Sequence, residues 1–310
     1  MKAVRTHGRG GPEQLFFEDA PVPVVRPGDV LVRVRATGIT PAELTWEETY
    51  QNADGTPRIP GIPGHEPSGL VEETAPDVTD FREGDEIYGL ADFPRDGAAA
   101  EFAAVRAANL ALKPRSIPHV QAAALPLSAL TAWQALFEHA HLAAGQAVLI
   151  HGGAGGVGTL AVQLARWRGA RVLATASARD TALVRSLGAD GVIDYHAARF
   201  EEMLRDIDVV LDTIGGETRE RSWGVLRKGG VLVTLVSPIP PDVAEQHGVR
   251  GVFFIVSGNR TQLDHITGLV DAGKLKPVLS AVVPLARARE AFEQGAAGRA
   301  PGKIVLQVAG

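Results

Sequence analysis

Ala147-Val148-Leu149-Ile150-His151-Gly152-Gly153-Ala154-Gly155-Gly156-Val157-Gly158-Thr159-Leu160-Ala161-Val162-Gln163-Leu164-Ala165-Arg166 decides the fold. Its first four residues are apolar and partly branched, as in a short strand buried on both faces. A glycine-dense turn follows. Beyond the turn, Val157, Leu160, Ala161, Leu164 and Ala165 fall on one face of a helix. Gly152, Gly155 and Gly158 are spaced G-x-x-G-x-x-G, and Gly153 and Gly156 add further freedom. Glycines let the main chain approach a diphosphate, and the first helical turn offers free N–H groups and the positive end of its dipole. Strand, glycine turn and helix in this order are the setting that dinucleotide binding requires. The residues expected at the cofactor are Gly152, Ala154, Gly155, Gly156, Val157 and Gly158.

The composition around this segment removes several classes of function. A chain of 310 residues is long enough for two domains. Hydrophobic residues at 45% and charged residues at 22% are ordinary for a soluble protein. A net charge of -5 without a basic run leaves no footprint for nucleic acid. Cysteine is absent, which excludes disulfides, thiolate nucleophiles and cysteine-ligated zinc. The start, Met1-Lys2-Ala3-Val4-Arg5, is strand-like and lacks the apolar core of a signal peptide. No apolar run approaches the length of a bilayer span. The nine histidines are scattered, and no Ser/His/Asp grouping stands out. A cytoplasmic enzyme, without nucleic-acid or membrane partners, is the expectation.

Residues 1–118 are rich in Pro and Gly and carry short strand patterns at 30–37, 69–73 and 100–105. Turn signals such as Arg26-Pro27-Gly28-Asp29 and Arg82-Glu83-Gly84-Asp85 separate them, which predicts a small irregular β domain. From about residue 116 helix-rich sequence leads into the glycine turn, and strands and helices then alternate. Strands are expected at 171–176, 208–212, 231–236 and 251–256, and helices at 181–187, 217–226 and 261–272. Such alternation predicts a parallel sheet covered on both faces, an α/β fold. Residues 278–310 return to short strands that rejoin the first domain.

Further motifs follow one another along the chain. They are Pro63-Gly64-His65-Glu66-Pro67-Ser68-Gly69, Gly84-Asp85-Glu86-Ile87-Tyr88-Gly89, Ala123-Ala124-Leu125-Pro126-Leu127 and Leu130-Thr131-Ala132-Trp133. After the glycine turn come Leu187-Gly188-Ala189-Asp190, Val192-Ile193-Asp194-Tyr195, Leu211-Asp212-Thr213-Ile214-Gly215-Gly216 and Gly302-Lys303-Ile304-Val305-Leu306. In this order they resemble the medium-chain dehydrogenase/reductase superfamily, and more closely its zinc-free quinone oxidoreductase (zeta-crystallin-like) branch, over nearly the whole chain. The resemblance implies a GroES-like catalytic domain over 1–118 and a Rossmann NADP-binding domain over 119–273. Residues 274–310 would return to the catalytic domain, with the active site in the cleft between domains.

Zinc-dependent relatives hold a catalytic metal with an early cysteine, the His-Glu of a Gly-His-Glu motif, and a later cysteine. Thr40 stands at the first of these positions and the last falls near Leu127, while His65 and Glu66 remain. Two adjacent groups without a third ligand make a poor zinc site, and the four-cysteine structural lobe is absent as well. No metal is expected, and His65 and Glu66 become hydrogen-bonded scaffold.

Cofactor choice rests on the end of the second Rossmann strand, Thr175-Ala176-Ser177-Ala178-Arg179. A carboxylate there would bind the ribose hydroxyls of NADH, whereas a hydroxyl and a guanidinium suit the 2′-phosphate of NADPH. Ser177 and Arg179 are therefore assigned to NADPH, with Asp180 expected to start the next helix. The resemblance adds Tyr195 at this phosphate and Thr131 near the nicotinamide. It also implies that the loop after Thr37 begins the substrate pocket, where the family's Asn-Pro-x-Asp pattern reads Thr40-Pro41-Ala42-Glu43. Thr40, Glu43 and Tyr50 are the candidate catalytic residues, Tyr50 being the nearby phenol that could supply a proton. Trp46 is open between pocket and core, and Glu43 between site and surface.

An NADPH-dependent, zinc-independent reductase of quinones or α,β-unsaturated carbonyls is the leading expectation. Hydride addition to such acceptors leaves a delocalised oxyanion that hydrogen bonds and water can stabilise. An enoyl-thioester reductase, or a non-enzymatic NADPH-binding sensor or structural protein, are the alternatives. The family also pairs subunits through the Rossmann edge strand, here 251–256, so a homodimer is expected.

Overall fold

Six strands of this computed structural model lie side by side in the order Gly191–Asp194, Arg171–Ala176, Ala147–Ile150, Ile207–Asp212, Leu226–Thr234 and Arg250–Phe253. Every neighbouring pair is parallel. Numbered along the chain, this order is 3-2-1-4-5-6, the doubly wound Rossmann arrangement. The structure describes residues 1–298 and 300–308. The chain divides into two units, residues 1–130 with 257–273 and 277–310, and residues 131–256 with 274–276. The boundaries expected from sequence were 118/119 and 273/274. The first division falls inside the helix Pro126–Trp133.

In the six-stranded unit, Val148, Leu149 and Ile150 are fully buried, as a central parallel strand with both faces covered demands. Leu149, Leu173, Val210 and Leu232 from four strands pack with Phe200, Trp223 and Val225. The strands expected at 147–150 and 171–176 stand at those bounds, and the helix expected over 181–187 runs Thr181–Ser186. The helix expected over 217–226 is Gly216–Ser222, closed by a single 3-10 turn, Trp223–Val225. The last strand ends at Phe253 rather than at 256. Gly191–Asp194 was not read as a strand; it has four residues, and only Ile193 among them is buried, so it carries little pattern.

The other unit is built on a seven-stranded sheet in which Asp29–Ile39 pairs antiparallel with Glu66–Thr74, Phe102–Arg106 and Lys303–Gln307. Lys303–Gln307 does rejoin this sheet, as expected of the tail. The same tail also holds the helix Ala288–Ala296, where strands had been expected. Its buried Ala288, Ala291 and Phe292 have i, i+3, i+4 spacing. The helix Arg260–Asp271 belongs here because the buried Tyr88 hydroxyl donates to the Leu263 carbonyl at 2.9 Å. The helical stretch His119–His139 has the length and hydropathy of a membrane span, contrary to the expectation from sequence, but 83% of its apolar 18-residue segment is buried inside the protein. It is a core helix by that measure.

Candidate functional site

The glycine turn closes on itself as the spacing predicts. Gly152 has φ +67, and its carbonyl accepts the Gly155 N–H at 2.9 Å. A Cβ on Gly158 would lie 2.1 Å from the Gly152 carbonyl oxygen, so only glycine permits this approach. Gly155 caps the helix Gly156–Trp167, whose first N–H groups have no intrahelical partner. Gly155 is exposed, while Gly152, Ala154, Gly156 and Val157 are half-buried and Gly158 is buried. The turn follows the strand Ala147–Ile150, where the sheet order switches direction. That position is where open parallel sheets bind ligands. The cradle and helix terminus fit a dinucleotide diphosphate.

Ser177 directly follows the strand Arg171–Ala176, and its hydroxyl donates to Asp180 Oδ2 at 2.7 Å. Arg179 donates through Nε and Nη2 to the same carboxylate, each at 3.1 Å. Asp180 precedes the helix Thr181–Ser186, as expected, yet its carboxylate reaches back to the strand end. Arg179 beside it holds that carboxyl below the usual range. Tyr195 lies across the adjoining strand end with 57% exposure, and its N–H donates to the Ala176 carbonyl at 3.3 Å. Ser177, Arg179 and Tyr195 therefore sit together, with Asp180 among them. Thr131 is buried in the helix Pro126–Trp133.

In the other unit, the buried Glu43, His65, Glu66 and Lys303 form a polar cluster with the half-buried Thr40. Glu43 is 1% exposed; its Oε2 accepts the Gly64 N–H at 2.8 Å and lies 3.6 Å from His65 Nε2. Glu43 is thus an interior group, which closes the question of a surface carboxylate. Burial raises its pKa to about 7, against the opposing pull of the Gly64 and Thr40 N–H donors. Burial, reinforced by the Arg58 charge, lowers His65 to about 3, so its ring is neutral at physiological pH. Glu66 is ion-paired to Lys303, and its other oxygen accepts the Leu127 N–H at 3.0 Å. Burial also raises the Glu66 pKa, partly offset by Lys303. Lys303 Nζ further donates to Thr40 Oγ1 at 2.9 Å.

The hydrogen-bonded scaffold expected of His65 and Glu66 holds for Glu66, through the Leu127 N–H and Lys303, a partner that sequence reading had not named, but not for His65, whose two buried ring nitrogens have no hydrogen-bond partner. Tyr50 departs from its expected part. It is 3% exposed, and its hydroxyl donates to the Leu44 carbonyl at 2.6 Å, so its proton is committed to the main chain. Trp46 packs edge-on against Phe93 at 5.2 Å, and Phe93 in turn against His65. Lys303 and His151 are two buried polar residues that sequence reasoning left without a role. A lysine beginning an apolar strand, and a histidine directly after one, each require a buried partner.

Residues 26–115 match the family model for the alcohol dehydrogenase GroES-like domain, and residues 187–306 that for zinc-binding dehydrogenase. The 2-methylene-furan-3-one reductase of Solanum lycopersicum is 34% identical, over 99% of this chain and 79% of that protein. The chloroplastic NADPH-dependent alkenal/one oxidoreductase of Arabidopsis thaliana is also 34% identical, with the same two coverages. The quinone oxidoreductase structure from Coxiella burnetii superposes with a TM-score of 0.91 at 31% identity, covering 99% of both chains. Relatives this similar along the whole length, on the sheet order and turn described above, fix the family: the chain belongs to the medium-chain dehydrogenase/reductase superfamily, in its quinone oxidoreductase branch.

Proposed function

We propose that this chain is an NADPH-dependent, zinc-independent reductase of quinones or α,β-unsaturated carbonyls. The carrying observation is the closed glycine turn at 152–158 set directly before the helix Gly156–Trp167, whose first N–H groups lack intrahelical partners, the arrangement that a diphosphate requires. The tomato and Arabidopsis relatives, named for a methylene-furanone and for alkenals and alkenones, support the acceptor class. The dinucleotide supplies the hydride when bound. Main-chain N–H groups of 152–158 hold its diphosphate. Ser177, Arg179 and Tyr195 receive the 2′-phosphate, with Arg179 exchanging Asp180 for it. Thr131 serves the nicotinamide.

On the acceptor side, Thr40 Oγ1 already accepts from Lys303, which leaves its own proton to donate. Hydride addition to a conjugated acceptor spreads charge onto an enolate-like oxygen, so a hydroxyl and water suffice there. Glu43 fixes the loop through the Gly64 N–H, and Tyr50 anchors it through Leu44. Zinc independence is supported by the donor chemistry, since Glu66 and Thr40 are both engaged by the Lys303 ammonium. Among the described residues, no three His, Cys, Asp or Glu side chains gather to hold a metal ion.

Chelator-treated protein should oxidise NADPH with a small quinone or enone and give negligible turnover with saturated ketones of similar size. Robust reduction of those ketones without metal would defeat the proposal, because a localised alkoxide needs a stronger acid than this site holds. Arg179→Ala should raise KM for NADPH about tenfold or more and leave KM for NADH unchanged. We further propose a homodimer formed through Arg250–Phe253, an edge of the six-stranded sheet beside the 65% exposed Ile255. Light scattering at micromolar concentration tests it, and a mass near the 32.7 kDa chain rejects it. A cytoplasmic location belongs to the same proposal, and cell fractionation tests it.

A further inference from the structure

His151 directly follows the central strand Ala147–Ile150 and precedes Gly152, is fully buried, and every polar atom of it has a partner. Its N–H donates to the Leu211 carbonyl at 3.0 Å, and its carbonyl accepts the Thr213 hydroxyl at 2.9 Å. The ring lies between Thr175 Oγ1, 3.2 Å from Nδ1, and Ser222 Oγ, 2.9 Å from Nε2. Phe200 packs against it edgewise with ring centres 4.6 Å apart.

The direction of each hydrogen bond follows from the chemistry. The Ser222 hydroxyl donates to the Thr218 carbonyl at 2.6 Å, so it accepts from His151 Nε2–H. Burial lowers His151 to about 4, so the ring is neutral and Nδ1 is an acceptor. The Thr175 hydroxyl therefore donates to Nδ1, which leaves its lone pair for the Gly152 N–H at 3.3 Å. Thr218 carbonyl, Ser222, His151, Thr175 and the Gly152 N–H form one directed chain that ends on the turn. Gly152 is also the residue whose carbonyl crowds Gly158 and accepts from Gly155.

We propose that His151 is a positioning residue for the dinucleotide, setting the Gly152 end of the phosphate turn through the Thr175 hydroxyl. This rests on the reading that the turn binds NADPH. A histidine that merely filled the core would contribute through its packing and its number of hydrogen bonds, whichever neighbour received them. A positioning histidine contributes through the Thr175 arm alone.

Two amide replacements separate these roles. In His151→Asn the side-chain oxygen overlays Nδ1 and can accept from Thr175, but nothing reaches Ser222. In His151→Gln the amide nitrogen overlays Nε2 and can donate to Ser222, while the Thr175 arm is lost. Each forfeits one hydrogen bond, so both should lose stability to a similar degree. NADPH dissociation constants from titration calorimetry and KM and kcat values are then compared on the full chain. His151→Gln and Thr175→Val should weaken NADPH binding about tenfold, with kcat at saturating NADPH held within about twofold. His151→Asn should rescue most of the affinity, and Ser222→Ala should lower thermal stability without moving the dissociation constant. Should the histidine variants fail to fold, Thr175→Val against Thr175→Ser reads the same arm, the serine keeping the hydroxyl. Equal affinities in His151→Asn and His151→Gln, or an unchanged affinity in Thr175→Val, overturn the positioning role while leaving the NADPH reading intact. A wild-type chain that binds neither NADPH nor NADH overturns both.

Discussion

The glycine turn and the Thr40–Glu43–Glu66–Lys303 cluster solve the same problem, polar atoms in an apolar interior, by different means. Around the turn, neutral groups are joined in a chain of fixed direction, from the Thr218 carbonyl to the Gly152 N–H. In the cluster, a carboxylate and an ammonium are buried together, and Glu43 and His65 face each other at 3.6 Å, beyond hydrogen-bond reach. A directed neutral chain costs little desolvation and fixes geometry. A buried ion pair costs much desolvation and depends strongly on both partners being present. The turn should therefore fail by geometry and the cluster by charge.

The charge failure is the larger. Lys303 and Glu66 are 7% and 1% exposed, so Lys303→Met strands a buried carboxylate. A loss of about 3–5 kcal/mol in denaturant-derived stability is expected. Adding Glu66→Gln should return much of it, because the uncompensated charge is gone. If the single and double variants are equally unstable, the ion pair is not what holds the cluster, and the contrast with the turn collapses.

The geometric failure comes next. Gly158→Ala places a methyl 2.1 Å from the Gly152 carbonyl oxygen, main chain that cannot swing aside. NADPH affinity should fall more than about a hundredfold, or roughly 2.7 kcal/mol, measured by direct titration. An affinity within threefold of wild type would mean the turn is not the cradle.

These two regions also differ in how far they are legible in sequence. The turn is local: strand, glycine spacing and helix fall within twenty consecutive residues, and their periodicities alone assign them. The parallel sheet follows because each of its central strands is a buried apolar run. The cluster joins Thr40 to Lys303, 263 positions apart, and no local pattern relates them. Only the family resemblance pointed to Thr40 and Glu43, and it could not say that Glu43 is interior or that Lys303 is their neighbour. The helix Ala288–Ala296 went unread because its apolar stripe is short and made mostly of alanine. Asp180 lay plainly in the sequence, yet its turn back to Ser177 depends on side-chain rotamers that no spacing encodes.

A pH profile sharpens the comparison at smaller amplitude. His151 has a folded pKa of about 4 against an unfolded value of about 6.5, so its contribution is fully present above pH 6.5 and is lost as pH falls toward 4. Between pH 6 and 5 the unfolded chain takes up that proton and the folded chain does not, which removes about 1.3 kcal/mol per pH unit. His65, lowered to about 3, acts in the same sense, while Glu43, raised to about 7, stays protonated when folded and acts in the opposite one. His151→Asn should therefore flatten the measured slope by about 1.3 kcal/mol per unit, whereas His65→Gln with Glu43→Gln should leave it nearly unchanged. If the paired change flattens the slope as much as His151→Asn does, Glu43 and His65 do not offset each other.

The smallest expected effect concerns the residue on which sequence and structure part most clearly. Tyr50 stands in the loop beside the cluster, and a phenol near a reduction site invites the role of proton donor. Its hydroxyl instead donates to the Leu44 carbonyl at 2.6 Å, and burial raises its pKa further, so releasing the proton would leave both a phenolate and a carbonyl unpaired. Tyr50→Phe keeps the ring, including its contact beneath Arg9, and removes one interior hydrogen bond. Stability should drop by about 1 kcal/mol, with kcat for enones and quinones falling equally or not at all. Enone reduction needs the proton more than quinone reduction does, because reduced quinones are the more acidic products. A kcat loss confined to enones would therefore return Tyr50 to the chemistry, and would require its bond to Leu44 to break during turnover.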